Sequence, residues 1–393
     1  MQTLNLLQKY IPAFRTLKTP FYFYDMELLQ RTVNACKQAM SKYGYHEHYA
    51  LKANNNAPVL KVIREAGFGI DCVSGNEVLW AIRQGFPVEK IVYSGVGKTD
   101  EEINTAIGHN IFCINCESTQ EIDIVNRLAA EAGKTVAISV RLNPAIDPHT
   151  HEYITTGLEE NKFGISEWEF GVMVEKLKTA THLQLIAVHV HLGSQITEAP
   201  IFQQLCTRFN QLQEKLRQEG ITVAHVNMGG GLGVDYDNPD SCPIVDFESY
   251  FATFHEHLKV YEGQTVHFEL GRALVAPCGS LITKTLYVKN GQKKNFVVVD
   301  AGMTDLLRPA LYQAHHAIQQ LSSQKTAEIY DVVGPICESS DFFGKNISLP
   351  QTQRGDLIAI RTAGAYGQTM NMRYNLRNLP DAYYSDEIKN VQK

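Results

Sequence analysis

The sequence lacks the features that mark several large protein classes. It contains no apolar window of membrane-span length, no run of basic residues, no internal repeat and no low-complexity tract. Its net charge of −6 argues against a nucleic-acid-binding protein. The first 20 residues show neither the apolar segment nor the small-residue cleavage site of a signal peptide. We therefore expect a cytoplasmic protein that binds neither nucleic acid nor membrane.

Cysteine is scarce and scattered, with eight residues in 393. In a long chain without a secretion signal, reduced thiols are expected. Cys113 and Cys116 have the spacing of a redox or zinc motif, but Cys113 lies within an apolar run, NIFCI. Buried packing is favoured for this pair, and we predict no metal site.

Apolar strands alternating with helical stretches dominate the first two thirds of the chain. Eight strands are predicted, at 48–52, 69–73, 90–94, 110–114, 136–142, 184–191, 222–228 and 265–270. Helical periodicity is clearest near 201–219 and recurs at 121–132. The pattern predicts an α/β fold, a (β/α)8 TIM-like barrel. A doubly wound open sheet is the alternative.

The pattern changes after Pro277 to short β-rich runs separated by turns. We predict a barrel domain at 28–277 and a C-terminal β domain at 278–393, completed by the N-terminal strand within residues 1–27. The polar tail after Pro380 is expected to be frayed.

Lys52 stands where a short buried strand meets a turn of three asparagines. Burying an ammonium group is costly unless the group is paired or neutralised. A desolvated lysine loses its proton readily and can form a Schiff base with an aldehyde cofactor. For a lysine considered alone, a solvated strand end would be the simpler interpretation.

Two further strands end in candidate site residues. His191 closes the strand 184–191, where an imidazole can stack on a flat ring; His189 alternates with it, so only one of the two can face the barrel interior. A hydrogen-bonded structural role is favoured for His189. The glycines 229–231 follow the next strand and would let backbone N–H groups approach a phosphate, although a tight turn explains them equally well.

Glu269 ends the eighth strand and is followed by Gly271 and Arg272. A carboxylate in a dry pocket favours a protonated partner. Against a pyridine nitrogen it would keep the ring a good electron sink. An ion pair between Glu269 and Arg272 is the alternative.

The C-terminal segments add groups suited to an amino-acid substrate. Arg308 and Tyr312 offer a guanidinium and a phenol that can bind a carboxylate. Cys337 and Glu338 place a thiol beside a carboxylate, and Tyr366 lies between two glycines. Taken singly, each has a simpler explanation as a surface ion pair, a structural thiol or a packed tyrosine.

One further polar segment lies in the long connection after the fifth strand. It comprises His151, 155–157 and 161–164, and a helix-entry turn would explain it equally well.

Taken together, the order and spacing of these segments resemble the diaminopimelate decarboxylases, a family of pyridoxal-phosphate (PLP)-dependent barrel decarboxylases. The resemblance rests on YALKAN, HLGSQ, GGGLG, ELGR, RPALY, CES and GAYG, and extends from Thr19 to Asn375. One departure is Leu270, where the family usually has proline.

The resemblance implies a role for each candidate residue in the decarboxylation of meso-2,6-diaminopimelate to L-lysine. Lys52 would carry PLP, and Cys337, supplied by the second subunit of a homodimer, would donate the proton. The other implied cofactor contacts are His191, Ser194, Gly230, Gly231, Glu269, Gly271, Arg272 and Tyr366. The implied substrate contacts are Arg272, Arg308, Tyr312, Glu338 and Tyr366.

Three other functions stay open at this point. A related barrel decarboxylase acting on carboxynorspermidine, arginine or ornithine would need a different distal pocket from the one suggested by Arg308 and Tyr312. An isomerase of the alanine-racemase type needs a second acid/base and usually an arginine in place of Glu269. A non-catalytic regulator with a decayed site is disfavoured because every residue needed for catalysis is present.

Overall fold

The computed structural model describes residues 6–146 and 161–391, with side chains described to residue 388. The chain forms two compact units. The sheet unit comprises Met1–Thr32, Val234–Val245 and Arg272–Lys393, and the barrel unit comprises Val33–Gly233 and Asp246–Gly271. The predicted domains, 28–277 and 278–393 with 1–27, stay a prediction, because compact packing alone does not show that a unit folds independently.

The barrel unit is a closed parallel barrel of eight strands, each beside the next one in sequence, with the last paired to the first. Strand β1 (Phe21–Tyr24) belongs to the sheet unit. The barrel strands are β2 (His46–Ala50), β3 (Gly69–Cys72), β4 (Ile91–Tyr93), β5 (Cys113–Cys116), β6 (Val136–Arg141), β7 (Leu183–His189), β8 (His225–Asn227) and β9 (Thr265–Phe268). The (β/α)8 prediction is confirmed, and the open sheet is excluded.

The predicted strands lie in the right places, but several bounds are wrong. Strand β2 ends two residues before Lys52, and β7 ends two residues before His191. Glu269 comes just after β9. The site residues therefore lie in the loops that follow the strands, where the backbone is free to turn a side chain towards the barrel axis.

The helices alternate with the barrel strands and begin at local capping signals. Ser74, Thr99 and Ser118 each accept a hydrogen bond from a backbone N–H in the first helical turn. The helices are α1 (Ile11–Phe14), α2 (Met26–Ser41), α3 (Ala57–Glu65), α4 (Gly75–Arg83), α5 (Asp100–His109), α6 (Thr119–Glu131), α7 (Phe170–Thr179), α8 (Ala199–Gln218), α9 (Phe247–His257), α10 (Arg272–Val275), α11 (Arg308–Tyr312) and α12 (Ser385–Val391). In the two described ranges, none of them combines the length and the apolar composition needed to span a bilayer.

The sheet unit contains an eight-stranded sheet that both ends of the chain complete. Strand β1 pairs antiparallel with β10 and parallel with β16, which confirms that the N-terminal strand joins the C-terminal sheet. The strands are β1 with β10 (Gly279–Asn290), β11 (Asn295–Val299), β12 (Ile318–Gln320), β13 (Ala327–Val333), β14 (Phe342–Pro350), β15 (Leu357–Ile360) and β16 (Asp381–Tyr384).

The prediction of a frayed tail after Pro380 is wrong. Residues 381–384 form β16, and α12 follows directly. The ring of Tyr383 packs edge-on against Phe21 at 5.2 Å, and the ring of Tyr384 stacks on Tyr24 at 5.6 Å. The polar composition of the tail led us to expect that it would keep its conformational entropy. Aromatic contacts of this kind offset the cost of losing that entropy.

A chain of hydrogen-bonded rings, which we call the histidine chain, closes the amino-terminal end of the barrel. It runs from His225 Nδ1 to Thr265 Oγ1 (2.7 Å), from Thr265 Oγ1 to His267 Nε2 (2.8 Å) and from His267 Nδ1 to His48 Nε2 (2.9 Å). His48 Nδ1 then lies 3.2 Å from the Lys90 carbonyl oxygen. Because a carbonyl can only accept, His48 Nδ1 carries a proton and its Nε2 accepts from His267. Burial lowers the pKa of His48 to about 4.

Candidate active site

Lys52 lies in a single 3-10 turn, Leu51–Ala53, directly after β2. This is the carboxyl end of the barrel strands, the end at which (β/α)8 enzymes place their sites. The turn is packed closely from behind, because a Cβ atom at Gly271 would lie 2.9 Å from the Ala53 Cβ. The Lys52 side chain is 43% exposed, so its amine is reachable from the open end of the barrel.

Asp71 faces Lys52 from the neighbouring strand and was missed by the sequence analysis. Its Oδ2 lies 3.8 Å from Lys52 Nζ, and its side chain is 1% exposed. Ser94 Oγ donates to Asp71 Oδ1 at 2.6 Å, and Asn115 Nδ2 donates to Ser94 Oγ at 2.9 Å. Burial raises the pKa of Asp71 and the charge of Glu269 adds to the effect, while the Lys52 ammonium opposes it. The signal was a carboxylate within the buried strand Gly69–Cys72.

Glu269 is a buried carboxylate contacted by one side chain from β8 and one from β7. Asn227 Nδ2 donates to its Oε1 at 2.7 Å, and His189 Nε2 lies 3.2 Å from its Oε2. Burial alone would raise the pKa of Glu269, but the approach of His189, with a further contribution from Lys52, holds that pKa below its ordinary value. Glu269 is therefore charged. His189 contacts this carboxylate, so its role extends beyond its own strand.

His191 is half-buried and neutral. Burial and the nearby Arg141 hold the pKa of His191 well below its ordinary value. The N–H of Gly230 donates to its Nδ1 at 3.1 Å, so Nδ1 is unprotonated and Nε2 carries the proton. The glycine loop thereby fixes both the orientation and the tautomer of the ring.

The glycine loop, residues 229–231, has room for no side chain. A Cβ atom would lie 2.6 Å from His191 Nδ1 at Gly229 and 2.0 Å from the Glu269 carbonyl oxygen at Gly230. Gly231 has a φ of +104°. Its N–H donates to no acceptor among the residues that the structure describes. The loop therefore brings a backbone donor to the surface, while Ser194, from the preceding loop, is half-buried.

The sheet unit gathers two buried arginines around one tyrosine. Arg272 Nη1 donates to the Tyr236 hydroxyl oxygen at 2.6 Å, while the Arg308 guanidinium lies 4.8 Å from the centre of the Tyr236 ring. The Arg272 guanidinium also lies 4.9 Å from the centre of the Tyr366 ring. Tyr312 is half-buried at the end of α11, and its phenol contributes to a raised pKa of Arg272 against the effect of burial.

Tyr366 is held in the left-handed region with a φ of +54°. A tyrosine in this region costs about 1–3 kcal/mol and persists only where the surroundings impose it. Gly364, two residues earlier, is constrained as well, since a Cβ there would lie 2.0 Å from the Val275 carbonyl oxygen. This backbone conformation directs the Tyr366 ring towards Arg272.

Cys337 and Glu338 form a separate, exposed pair on a fixed loop. Asp341 holds the loop by accepting the N–H of Ile336 at 2.6 Å through Oδ2. The N–H of Cys337 donates to Asn375 Oδ1 at 3.3 Å. A hydrogen bond to Glu338 raises the pKa of Tyr374. An accessible thiol thus stands beside a carboxylate and a phenol.

Other sequence predictions have separate outcomes. Cys113 and Cys116 are free and buried, as expected from packing. His151 and the segment 155–157 lie outside the described residues. Tyr236, which belongs to the sheet unit, was missed because no local pattern distinguishes it.

Comparisons with known proteins agree with this arrangement. Residues 26–276 match the family model described as pyridoxal-dependent decarboxylase, pyridoxal binding domain. A diaminopimelate decarboxylase of Bacteroides thetaiotaomicron is 53% identical over 379 residues, 96% of this chain and 98% of that protein. Diaminopimelate decarboxylase of Helicobacter pylori, solved in complex with L-lysine, superposes with a TM-score of 0.89 at 39% identity, covering 95% of this chain and 94% of that one. The chain therefore belongs to the pyridoxal-dependent decarboxylases and, among them, to the diaminopimelate decarboxylase family.

Proposed function

We propose that this protein is a PLP-dependent carboxy-lyase that converts meso-2,6-diaminopimelate to L-lysine and CO2, the last step of lysine biosynthesis. The observation that carries the proposal is that an accessible lysine, Lys52, and a buried carboxylate, Glu269, both follow strands at the same end of the barrel. The 53% identity to a named diaminopimelate decarboxylase supports the same substrate.

The residues of the barrel unit fit PLP. The cofactor has an aldehyde, a ring nitrogen and a phosphate, and the barrel offers an amine, a carboxylate and a backbone N–H in Lys52, Glu269 and Gly231. When bound, PLP supplies an electron sink for the electron pair left behind by CO2. We propose that Lys52 binds the aldehyde, Glu269 pairs the ring nitrogen, and Ser194, Gly230 and Gly231 hold the phosphate.

His191 and Gly271 complete the proposed cofactor contacts of the barrel unit. The neutral imidazole of His191 presents a flat face whose orientation the Gly230 N–H fixes. Because the imidazole carries no charge, it does not compete with the protonated ring nitrogen for the Glu269 carboxylate. Gly271 allows the Lys52 turn to pack closely, which limits the positions that the Lys52 amine can take.

Substrate recognition is proposed for the arginines of the sheet unit. Arg308 is buried, and among the described residues no carboxylate lies within 4.0 Å of its guanidinium. A buried cation without a paired anion is costly, and the nearby charge of Arg272 adds to that cost. An incoming carboxylate would offset it. We propose that Arg308, with Tyr312, Glu338 and Arg272, binds the distal amino-acid end of the substrate. Tyr366 would contact both cofactor and substrate.

Proton donation and assembly are proposed together. Cys337 is exposed, and a thiol donates a proton far more readily than a hydroxyl group. Leu376, two residues after the tyrosine that bonds Glu338, is 96% exposed. Tyr374 is 44% exposed as well, and Asn375 between the two accepts the Cys337 N–H, so an exposed patch with apolar surface lies beside the exposed thiol and supports a subunit interface there. We propose a homodimer in which Cys337 serves the partner's site, and a cytoplasmic location.

The decisive experiment measures CO2 released by purified, PLP-loaded protein. The expected result is release from meso-diaminopimelate with L-lysine as product, and little release from ornithine, arginine or carboxynorspermidine. The control is the same protein with Lys52 changed to alanine. Faster release from ornithine or arginine than from diaminopimelate would overturn the proposed substrate.

A further inference from the structure

Arg308 is oriented by a neutral side chain that the proposed mechanism does not use. His316 Nε2 lies 2.7 Å from Arg308 Nη1, and His316 is fully buried. Its other ring nitrogen, Nδ1, lies 2.8 Å from the Arg361 carbonyl oxygen. The imidazole therefore bridges the Arg308 guanidinium and the backbone directly after β15.

The protonation state of His316 follows from its two partners. An arginine keeps its protons at all working pH values, so Arg308 donates and His316 Nε2 accepts. A carbonyl oxygen only accepts, so His316 Nδ1 carries the single proton of a neutral ring. Burial and the charge of Arg308 lower the pKa of His316 in agreement with this assignment.

A neutral acceptor at this position has a particular consequence for charge. A carboxylate bonded to Arg308 would fix its orientation but would also neutralise it. His316 and the Tyr236 ring, 4.8 Å away, hold the guanidinium in place and leave its full charge available. His316 and Tyr236 use only part of its five N–H groups, and the others remain for a ligand.

We propose that His316 is a positioning residue that holds Arg308 ready to bind the distal carboxylate of the substrate. The inference deepens the proposed function and rests on it. His316 itself touches neither the reacting carbon nor the cofactor in this proposal; it acts only through Arg308. Loss of a hydrogen bond to a charged group weakens the dependent interaction by about 10- to 100-fold.

The test compares two ligands that differ only in the carboxylate. L-lysine keeps the distal carboxylate of diaminopimelate, and 1,5-diaminopentane is the same diamine without it. Binding of each to the PLP-loaded enzyme is followed by the absorbance of the bound cofactor. The quantity of interest is the ratio of the two dissociation constants.

In His316→Phe, which puts a somewhat larger apolar ring in place of the imidazole and removes both hydrogen bonds, the preference for L-lysine should fall about 10-fold or more. The affinity for 1,5-diaminopentane should stay near that of wild type. For diaminopimelate, KM should rise with a smaller change in kcat. His316→Gln, which restores an acceptor towards Arg308, should recover part of the preference and also serves if the phenylalanine variant does not fold.

The matched control is the neighbouring His315→Gln, since His315 is 53% exposed and lies 3.2 Å from Asp237 at the surface. It should bind both ligands as wild type does. An unchanged preference in both folded His316 variants overturns the positioning role while the proposed function stands. If wild type itself shows no preference for L-lysine and releases no CO2 from diaminopimelate, the proposed function falls and this role falls with it.

Discussion

Acidification should destabilise the barrel through the histidine chain, and His48 contributes a share whose magnitude follows from its pKa. Burial lowers the pKa of His48 from 6.5 to about 4, against the attraction of Glu269 and the hydrogen bond to the Lys90 carbonyl, which both raise it. As the pH falls below 6.5, the unfolded chain takes up this proton before the folded chain does. The stability contributed by the neutral ring is therefore complete above pH 6.5 and is lost between pH 6.5 and 4. The loss amounts to about 3 kcal/mol of unfolding free energy.

Urea unfolding of wild type and His48→Phe at a series of pH values isolates this contribution. The carboxyl groups titrate in both proteins, so their effect cancels in the difference between the two unfolding free energies. At pH 7 the variant should be less stable, since His267 loses its acceptor. Its deficit should shrink by about 3 kcal/mol by pH 4. The exposed control His109→Gln should follow the wild-type profile. A deficit that stays constant across this range would refute the assignment of a buried, neutral His48.

The remaining predictions concern the proposed chemistry. In Lys52→Ala, the cofactor absorbance typical of a lysine Schiff base and the turnover should both vanish while the fold stays intact. Borohydride reduction and peptide mapping of the wild type should label Lys52. A label on another lysine would exclude Lys52 as the residue that binds the cofactor. In Arg308→Lys, kcat/KM for diaminopimelate should fall at least about 10-fold while PLP binding stays unchanged, because a point charge cannot copy a two-pronged contact. An equal loss of cofactor affinity would indicate a structural role for Arg308 instead. Mixed Lys52→Ala and Cys337→Ala dimers should recover roughly a quarter of wild-type activity, since about half are hybrids with one intact site. Covalently locked dimers of each variant should stay inactive, and no recovery on mixing would mean that Cys337 acts within its own subunit.

The sequence predicted the architecture well because its signals are local. Strand and helix periods, with turn residues between them, were enough for the barrel and for the strand ends that carry Lys52, His191 and Glu269. The exact strand bounds were wrong by about two residues at the first two of these positions. Where a strand ends depends on which backbone groups find partners on neighbouring strands, and a single segment does not contain that information.

The contacts that tune the site were not predictable in the same way. Asp71 carried a usable signal, a charged residue inside a buried strand. Tyr236 and His316 carried no such signal. Their partner Arg308 lies 72 residues after Tyr236 and 8 residues before His316, and no regular sequence period links these positions. Tyr236 lies in the sheet unit although it precedes the position, after Pro277, at which the sequence pattern changes. Such contacts arise from the tertiary fold alone.

The pairing of β1 has a consequence for how the protein is made. Its buried aromatic strand is synthesised early, but its first partner, β10, begins about 255 residues later and its second, β16, later still. At 5–20 residues per second, β1 waits roughly 13–50 s on the ribosome before a neighbour exists. During that time, the whole barrel emerges and can close. An unpaired strand of four aromatic residues is a ready template for wrong pairing. The nascent chain therefore depends on β1 being kept from contact with other unpaired strands until the sheet is complete.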